Sequence, residues 1–189
     1  MARMKSEKLE KEAVKSVAAM MAASARTAPK ARGMDAIETL VIDGEDLETL
    51  ALAMEEKAKE QPAFLAPAFN RDARNVRGSL AVLLVGVTGG PKKPEQGFDC
   101  GACGYKSCQQ LLKARTLEGK DFSGPVCVFQ AIDLGIALGA AAKLAGDLNV
   151  DNRMMYTVGT AARKLKLLSS DVIIGIPLSV SGKSPYFDR

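Results

Sequence analysis

The apolar positions of the chain begin with the stripe of a long amphipathic helix. Within residues 6–27, Val14, Val17, Ala18, Met21, Ala22 and Ala25 recur at i, i+3, i+4, i+7, i+8 and i+11, which is one helical face. Pro29 disfavours helical backbone at Ala28 and so ends it. Residues 36–42 read as a strand, followed by an Asp43-Gly44 turn. Asp43 is placed to cap a second helix whose first turn carries Glu45 and Asp46, acids favoured by the helix dipole. That helix is expected to bury Leu47, Leu50, Ala51, Met54 and Ala58. A loop over 62–67 leads to a polar helix over 69–77. Residues 80–87, LAVLLVGV, are apolar on both faces and predict a central strand.

Gly89-Gly90-Pro91 and Pro94 then break the chain ahead of a cysteine-bearing segment over 99–127. A helix over 127–148 follows. Its small and apolar residues cover most of the circumference, which predicts burial on more than one side. Asp151 is placed to cap another helix, one packing Met154, Val158, Ala161 and Leu165 and ending in Arg163, Lys164 and Lys166. Residues 171–178 hold a last buried strand, and 179–189 form an extended tail. Strands and helices in this order predict an α+β fold, a central sheet flanked by helices.

With 189 residues the chain suits a single domain, 1–189, able to bury a core without disulfides. The net charge of +4 is mild, and six Phe, three Tyr and no Trp are not interleaved with a basic stripe, so no nucleic-acid partner is expected. A mildly basic surface suits an acidic redox partner protein. Residues 1–15 are charged throughout, without the apolar core of a secretion signal. No uninterrupted apolar run reaches bilayer length, because Gln130, Asp133 and Lys143 break the longest one. A cytoplasmic protein with no membrane partner is expected, in a compartment that keeps thiols reduced. Histidine is absent, which removes it as a ligand or general base.

The chemistry is concentrated in the cysteines. All four lie in one run, Cys100-x2-Cys103-x4-Cys108-x18-Cys127, with Gly97, Gly101 and Gly104 around them. Three thiolates from a short glycine-rich loop and a fourth from a distance suit a cuboidal iron–sulfur cluster, whose core the backbone must wrap closely. Structural zinc sites more often use two C-x2-C pairs on separate knuckles, and zinc is the competing reading. Cys127 precedes the long helix, whose N-terminal amides favour an anion. Lys106, Lys113 and Lys120 in the same segment are candidates to offset cluster charge.

The run "DCGACGYKSCQQLLKA…GPVC" closely resembles the four-cysteine Fe–S domain of the Rnf complex B subunit and of the acetyl-CoA decarbonylase/synthase large corrinoid subunit. The resemblance implies that Cys100, Cys103, Cys108 and Cys127 ligate a [4Fe-4S] cluster. Over its length the chain resembles a prokaryotic family of uncharacterised ferredoxin-domain proteins found largely in anaerobes, through a "DNR-MY-G…GIPLS-SGK" pattern over 151–183. The remainder resembles a nitroreductase scaffold carrying the cluster segment, 97–127, as an insertion. "ARTAPKARGMDAIETLVI" matches that family's A-x-x-A-P helix end at Ala25, Ala28 and Pro29. The family's Ser falls at Lys30, its Asn at Gly33 and its Gln-Pro-Trp at Asp35, Ala36 and Ile37.

The nitroreductase resemblance implies FMN. The family's early R-x-S-x-R phosphate motif is absent, so the phosphate would fall to Arg26, Lys30, Arg32 or Lys183. It also implies a homodimer, paired through the helix over 127–148 and by exchange of the tail with Tyr186 and Phe187. Gly135, Gly139 and Ala142 share a face of that helix, at a spacing that permits close approach. Three functions follow as expectations: a [4Fe-4S] electron-transfer or redox accessory protein, an FMN- and cluster-dependent reductase, or a zinc-stabilised non-catalytic binding module.

Overall fold

The computed structural model describes residues 3–187. The amphipathic stripe near the N-terminus forms helix α1, Ser6–Thr27, and buries Val14, Val17, Ala18, Met21 and Ala25. Strand β1 is Ile37–Asp43, followed by α2, Asp46–Lys59, and α3, Ala66–Arg77. Helix α3 starts inside the predicted loop, because proline is tolerated in a first helical turn and Pro67 sits there. The both-sided apolar run forms β2, Ala81–Val87, buried at every position.

The cysteine segment contributes a short helix α4, Cys108–Lys113, and a small antiparallel pair, β3, Leu117–Glu118, with β4, Ser123–Gly124. Helix α5, Val128–Asp147, strand β5, Asp151–Asn152, helix α6, Tyr156–Lys164, and strand β6, Val172–Ser179, complete the chain.

The main sheet is antiparallel throughout, in the order β1-β2-β6-β5. Side chains alternate across a strand, so β2 feeds two cores. Ala81, Leu83, Val85 and Val87 join α1 and α5 on one face, while Val82 and Leu84 join α2, α3 and α6 on the other. The result is the α+β layering expected, a central sheet between two helical layers. Helix α6 lies close on β6, at a place where Gly159 has no room for a side chain. A Cβ there would stand 1.7 Å from the Ile173 carbonyl oxygen.

Four local expectations are corrected. Asp43 ends β1 and pairs with Lys15 at 2.6 Å instead of capping α2. Asp151 starts β5 instead of capping α6, which begins after Met155. Of the side chains expected to pack α6, Val158 and Ala161 are buried, whereas Met154 is exposed. Helix α5 is buried along one stripe, formed by Leu134, Ala137, Leu138, Ala141 and Ala145. Its other side, with Ile132 48% and Ile136 40% exposed, is uncovered within the chain. By length and composition α5 could cross a membrane, but its buried stripe packs in the core shared with α1.

The tail, described as far as Phe187, returns to its own chain; residues 188 and 189 of the predicted tail lie outside the described residues. Tyr186 is buried with its hydroxyl 2.8 Å from Ser79 Oγ, and Arg153 donates to the Tyr186 carbonyl at 2.9 Å.

Candidate metal centre

The cysteine segment leaves the sheet after β2 and re-enters at α5, and its two ends are tied together. The Cys127 amide donates to the Gly89 carbonyl at 2.8 Å, and the Gln130 side chain donates to the Gly90 carbonyl at 3.0 Å. Asp171, just before β6, accepts from the Gly89 amide at 2.7 Å, and its own carbonyl accepts from the Ser123 amide at 3.1 Å.

Farther out, the segment rests on the α2–α6 layer through Asp121. Lys57, almost wholly buried, stands 3.0 Å from Asp121 and donates to the Lys120 carbonyl at 2.7 Å. Tyr156 donates to Asp121 at 2.5 Å, and its ring meets Phe122 edge-on at 5.5 Å. Arg163 holds the small β3–β4 pair through Glu118 and Ser123. Burial pushes the Asp121 carboxyl up, but hydrogen bonds from Tyr156 and Lys57 outweigh it and hold the group below its ordinary value. Burial likewise opposes the Lys57 ammonium, and its bonds to Asp121 and Glu60 more than restore it, to above its ordinary value.

The cysteine loop itself is shaped by tight backbone. Gly101 and Gly104 take left-handed φ of 76° and 85°, and the Gly104 amide closes a turn on the Gly101 carbonyl at 2.9 Å. Gly97 passes so close to Cys108 that a Cβ would stand 2.5 Å from its Cβ and 2.8 Å from its Sγ. Asp99 accepts from the Cys108 amide at 2.7 Å, fixing the start of α4. Ser107 caps that helix by accepting from the Gln110 amide at 3.2 Å, while Gln110 Oε1 accepts from the Lys106 amide at 3.1 Å. This is close to a capping box. The S-x-x-Q spacing was the signal in the sequence for a helix that periodicity missed, since six residues are too few to show a stripe.

Cys100, Cys103, Cys108 and Cys127 all line one cavity, with about 390 Å³ of atom-free space, partly open to solvent. All four are free thiols; Cys127 is buried and Cys100 exposed. Phe98, Leu111, Val128 and Phe129 give the cavity apolar walls. Among the described residues, no three Cys, Asp or Glu side chains converge closely enough to hold a single metal ion. In the first turn of α5 the Cys127 amide goes to Gly89 and the Gln130 amide to the Cys127 carbonyl at 3.0 Å, which leaves the Val128 and Phe129 amides without an intrahelical acceptor.

Lys106, Lys113 and Lys120 stand exposed and do not line this cavity. Lys92 does line it, and is buried although it lies in the glycine- and proline-rich stretch that breaks the chain.

Three of the four cations expected to receive a flavin phosphate have partners within the chain. Lys30 has a 4% exposed side chain and donates to the carbonyls of Ala25 at 2.7 Å, Arg26 at 2.5 Å and Ala28 at 2.7 Å, capping the end of α1. Burial lowers its ammonium pKa, against the pull of Asp35. Arg26 pairs with Asp35 at 2.5 Å. Arg32 donates to Gln96 and lies 5.0 Å over the Phe98 ring. Lys183 is exposed on the tail. Arg26, Lys30 and Arg32 are thus already engaged within the chain, and Lys183 stands exposed.

A relative from Archaeoglobus fulgidus, itself an uncharacterised protein, is 49% identical over 178 residues, 94% of this chain and 92% of its own. The family model of uncharacterised proteins containing a ferredoxin domain matches residues 123–189, a stretch that includes Cys127. The chain belongs to this family. Its fold is shared more widely. A nitroreductase-like family protein from Bacillus cereus superposes with a TM-score of 0.56 at 9% identity, over 93% of this chain and 79% of its own. The FMN-dependent nitroreductase NfnB from Mycobacterium smegmatis, in complex with NADPH, gives 0.54 at 10% identity, over 89% and 78%. At such identity the likeness shows the fold alone. Membership of a ferredoxin-domain family points to a redox or electron-transfer role and to an iron–sulfur cluster.

Proposed function

We propose that this chain binds a [4Fe-4S] cluster through Cys100, Cys103, Cys108 and Cys127 and serves as an electron-transfer or redox accessory protein. One observation carries the reading. The four cysteines line a single cavity, three from a short glycine-bearing loop and Cys127 from the start of α5. A cuboidal cluster takes its thiolates from such an arrangement, whereas structural zinc sites more often use two C-x2-C pairs on separate knuckles.

The surroundings support the same group. Glycine backbone at 97, 101 and 104 lets the loop wrap closely, and the Val128 and Phe129 amides at the start of α5 favour an anion beside Cys127. Phe98 and Phe129 keep water from part of the cavity, while exposed Cys100 leaves one edge near the surface, where a redox partner protein could approach. A bound cluster would supply one-electron chemistry. The chain offers no histidine and no nucleophile–base pair beside the cavity, so its residues are suited to holding and tuning rather than to acid–base catalysis.

The test is a set of single Cys→Ser variants at all four positions, prepared without oxygen. Each is expected to lose or degrade the visible absorption of the cluster. Full absorption in any one of them would remove that cysteine from the ligand set.

A further inference from the structure

Behind the cysteine loop lies a buried ion pair that ligation does not require. The Lys92 side chain is 3% exposed and that of Asp133 2%, with Nζ 2.5 Å from Oδ2. Lys92 also donates to the Met34 carbonyl. Asp133 accepts from the Ala31 amide at both oxygens, 3.0 and 3.2 Å. Burying two charges carries a large desolvation cost, and an apolar pair of similar volume often packs as stably. Fold stability is therefore a weak reason for this pair. Its placement is lopsided: Lys92 lines the cavity of the four cysteines, and Asp133 does not.

We propose that Lys92, fixed in position by Asp133, raises the reduction potential of the cluster held by the four cysteines. This inference rests on the cluster reading above. With four thiolates, a [4Fe-4S] centre carries a charge of about −2 when oxidised and about −3 after gaining one electron. A cation at the cavity wall favours the more negative state. It does so more strongly than a surface lysine, because a partly dry site screens charge less than water. Lys92 is the cation among the residues that line the cavity, where Asp99 is the anion; the exposed Lys106 and Lys113 are screened, and Arg32 lies over the Phe98 ring. Asp133 partly offsets Lys92 from the far side.

The test is an anaerobic potentiometric titration with dithionite, which supplies electrons one at a time and ends as sulfite, followed by electron paramagnetic resonance of the reduced cluster. Wild type is compared with Asp133→Asn, with the double variant Lys92→Met/Asp133→Asn, and with Lys113→Met as a surface control. The double variant leaves no unpaired buried charge and keeps an amide oxygen for the Ala31 amide, so it is the variant expected to fold. The expected order of midpoint potential is Asp133→Asn above wild type and the double variant below it, with Lys113→Met nearly unmoved. A merely structural pair would change stability and cluster content but leave the potential of the loaded protein where it was. A loaded double variant at or above the wild-type potential overturns the role of Lys92. A wild type that binds no cluster overturns the cluster reading itself.

Discussion

Gly97 brings the backbone close against the Cys108 side chain, and it tests the loop at the level of single atoms. Gly97→Ala forces a Cβ to within 2.5 Å of Cys108 Cβ, so either the loop or Cys108 must shift. The expected outcome is lower iron content at nearly unchanged thermal stability, since the strain falls on a loop outside both cores. Iron analysis beside a melting curve would show it. Full iron content would mean that Cys108 is free to move. At this scale the gathering of the four cysteines around one cavity was legible in their local spacing. Lys92 was not. In Gly-Gly-Pro-Lys-Lys-Pro it has every mark of a solvated linker, and only the fold brings Asp133 to it. The capping role of Lys30 was hidden for a similar reason: a lysine just past a helix end can turn back onto the last carbonyls, and nothing in its spacing distinguishes that from an exposed cation.

Among the elements, α1, α2, β2 and α5 were legible because each buries a long stripe or a continuous apolar run. The short pieces α4, β3, β4 and β5 were not, since two to six residues carry no periodicity. The close seating of α6 on β6 through Gly159 was invisible in the sequence. Gly159→Val is expected to destabilise the fold by about 1–3 kcal/mol or more through overpacking, readable as a lowered urea midpoint. An unchanged midpoint would mean that α6 can lift from the sheet.

The anchor of the cysteine segment on α2 and α6 makes a pH prediction. The Asp121 carboxyl is held below its ordinary value, so its contribution is fully present above the unfolded value of about 3.9 and lost as pH falls through the lower folded value. The Lys57 ammonium is held above 10.5, so its contribution persists throughout the neutral range and is lost only at higher pH. The anchor should therefore stay intact from about pH 5 to pH 9 and fail on the acid side below about pH 4. Asp121→Asn is expected to cost about 1.5–3 kcal/mol and to make the segment sensitive to protease at neutral pH, an effect limited proteolysis would reveal.

For the molecule as a whole, the uncovered side of α5 is where a second copy is expected. Ile132 and Ile136 are exposed there, and Gly135 and Gly139 beside them meet no other atoms within 4 Å of a built Cβ. Gly139→Leu should therefore leave the folded chain intact while weakening association, a separation that sedimentation and circular dichroism together can resolve. A wild-type monomer of 20.0 kDa at micromolar concentration would rule the dimer out. Within the chain, the tail's Tyr186 meets Ser79.

The layered fold was legible from the order of strands and helices. The course of the tail was not, since it depends on contacts of Tyr186 with the distant residues Ser79 and Arg153. The claim that gives the molecule its function is the cluster, and its most direct measurement is the iron, sulfide and zinc content of protein purified without exposure to oxygen. About four iron and four sulfide per chain, with brown colour that bleaches on reduction, is the expected result. One zinc per chain with no sulfide would contradict it.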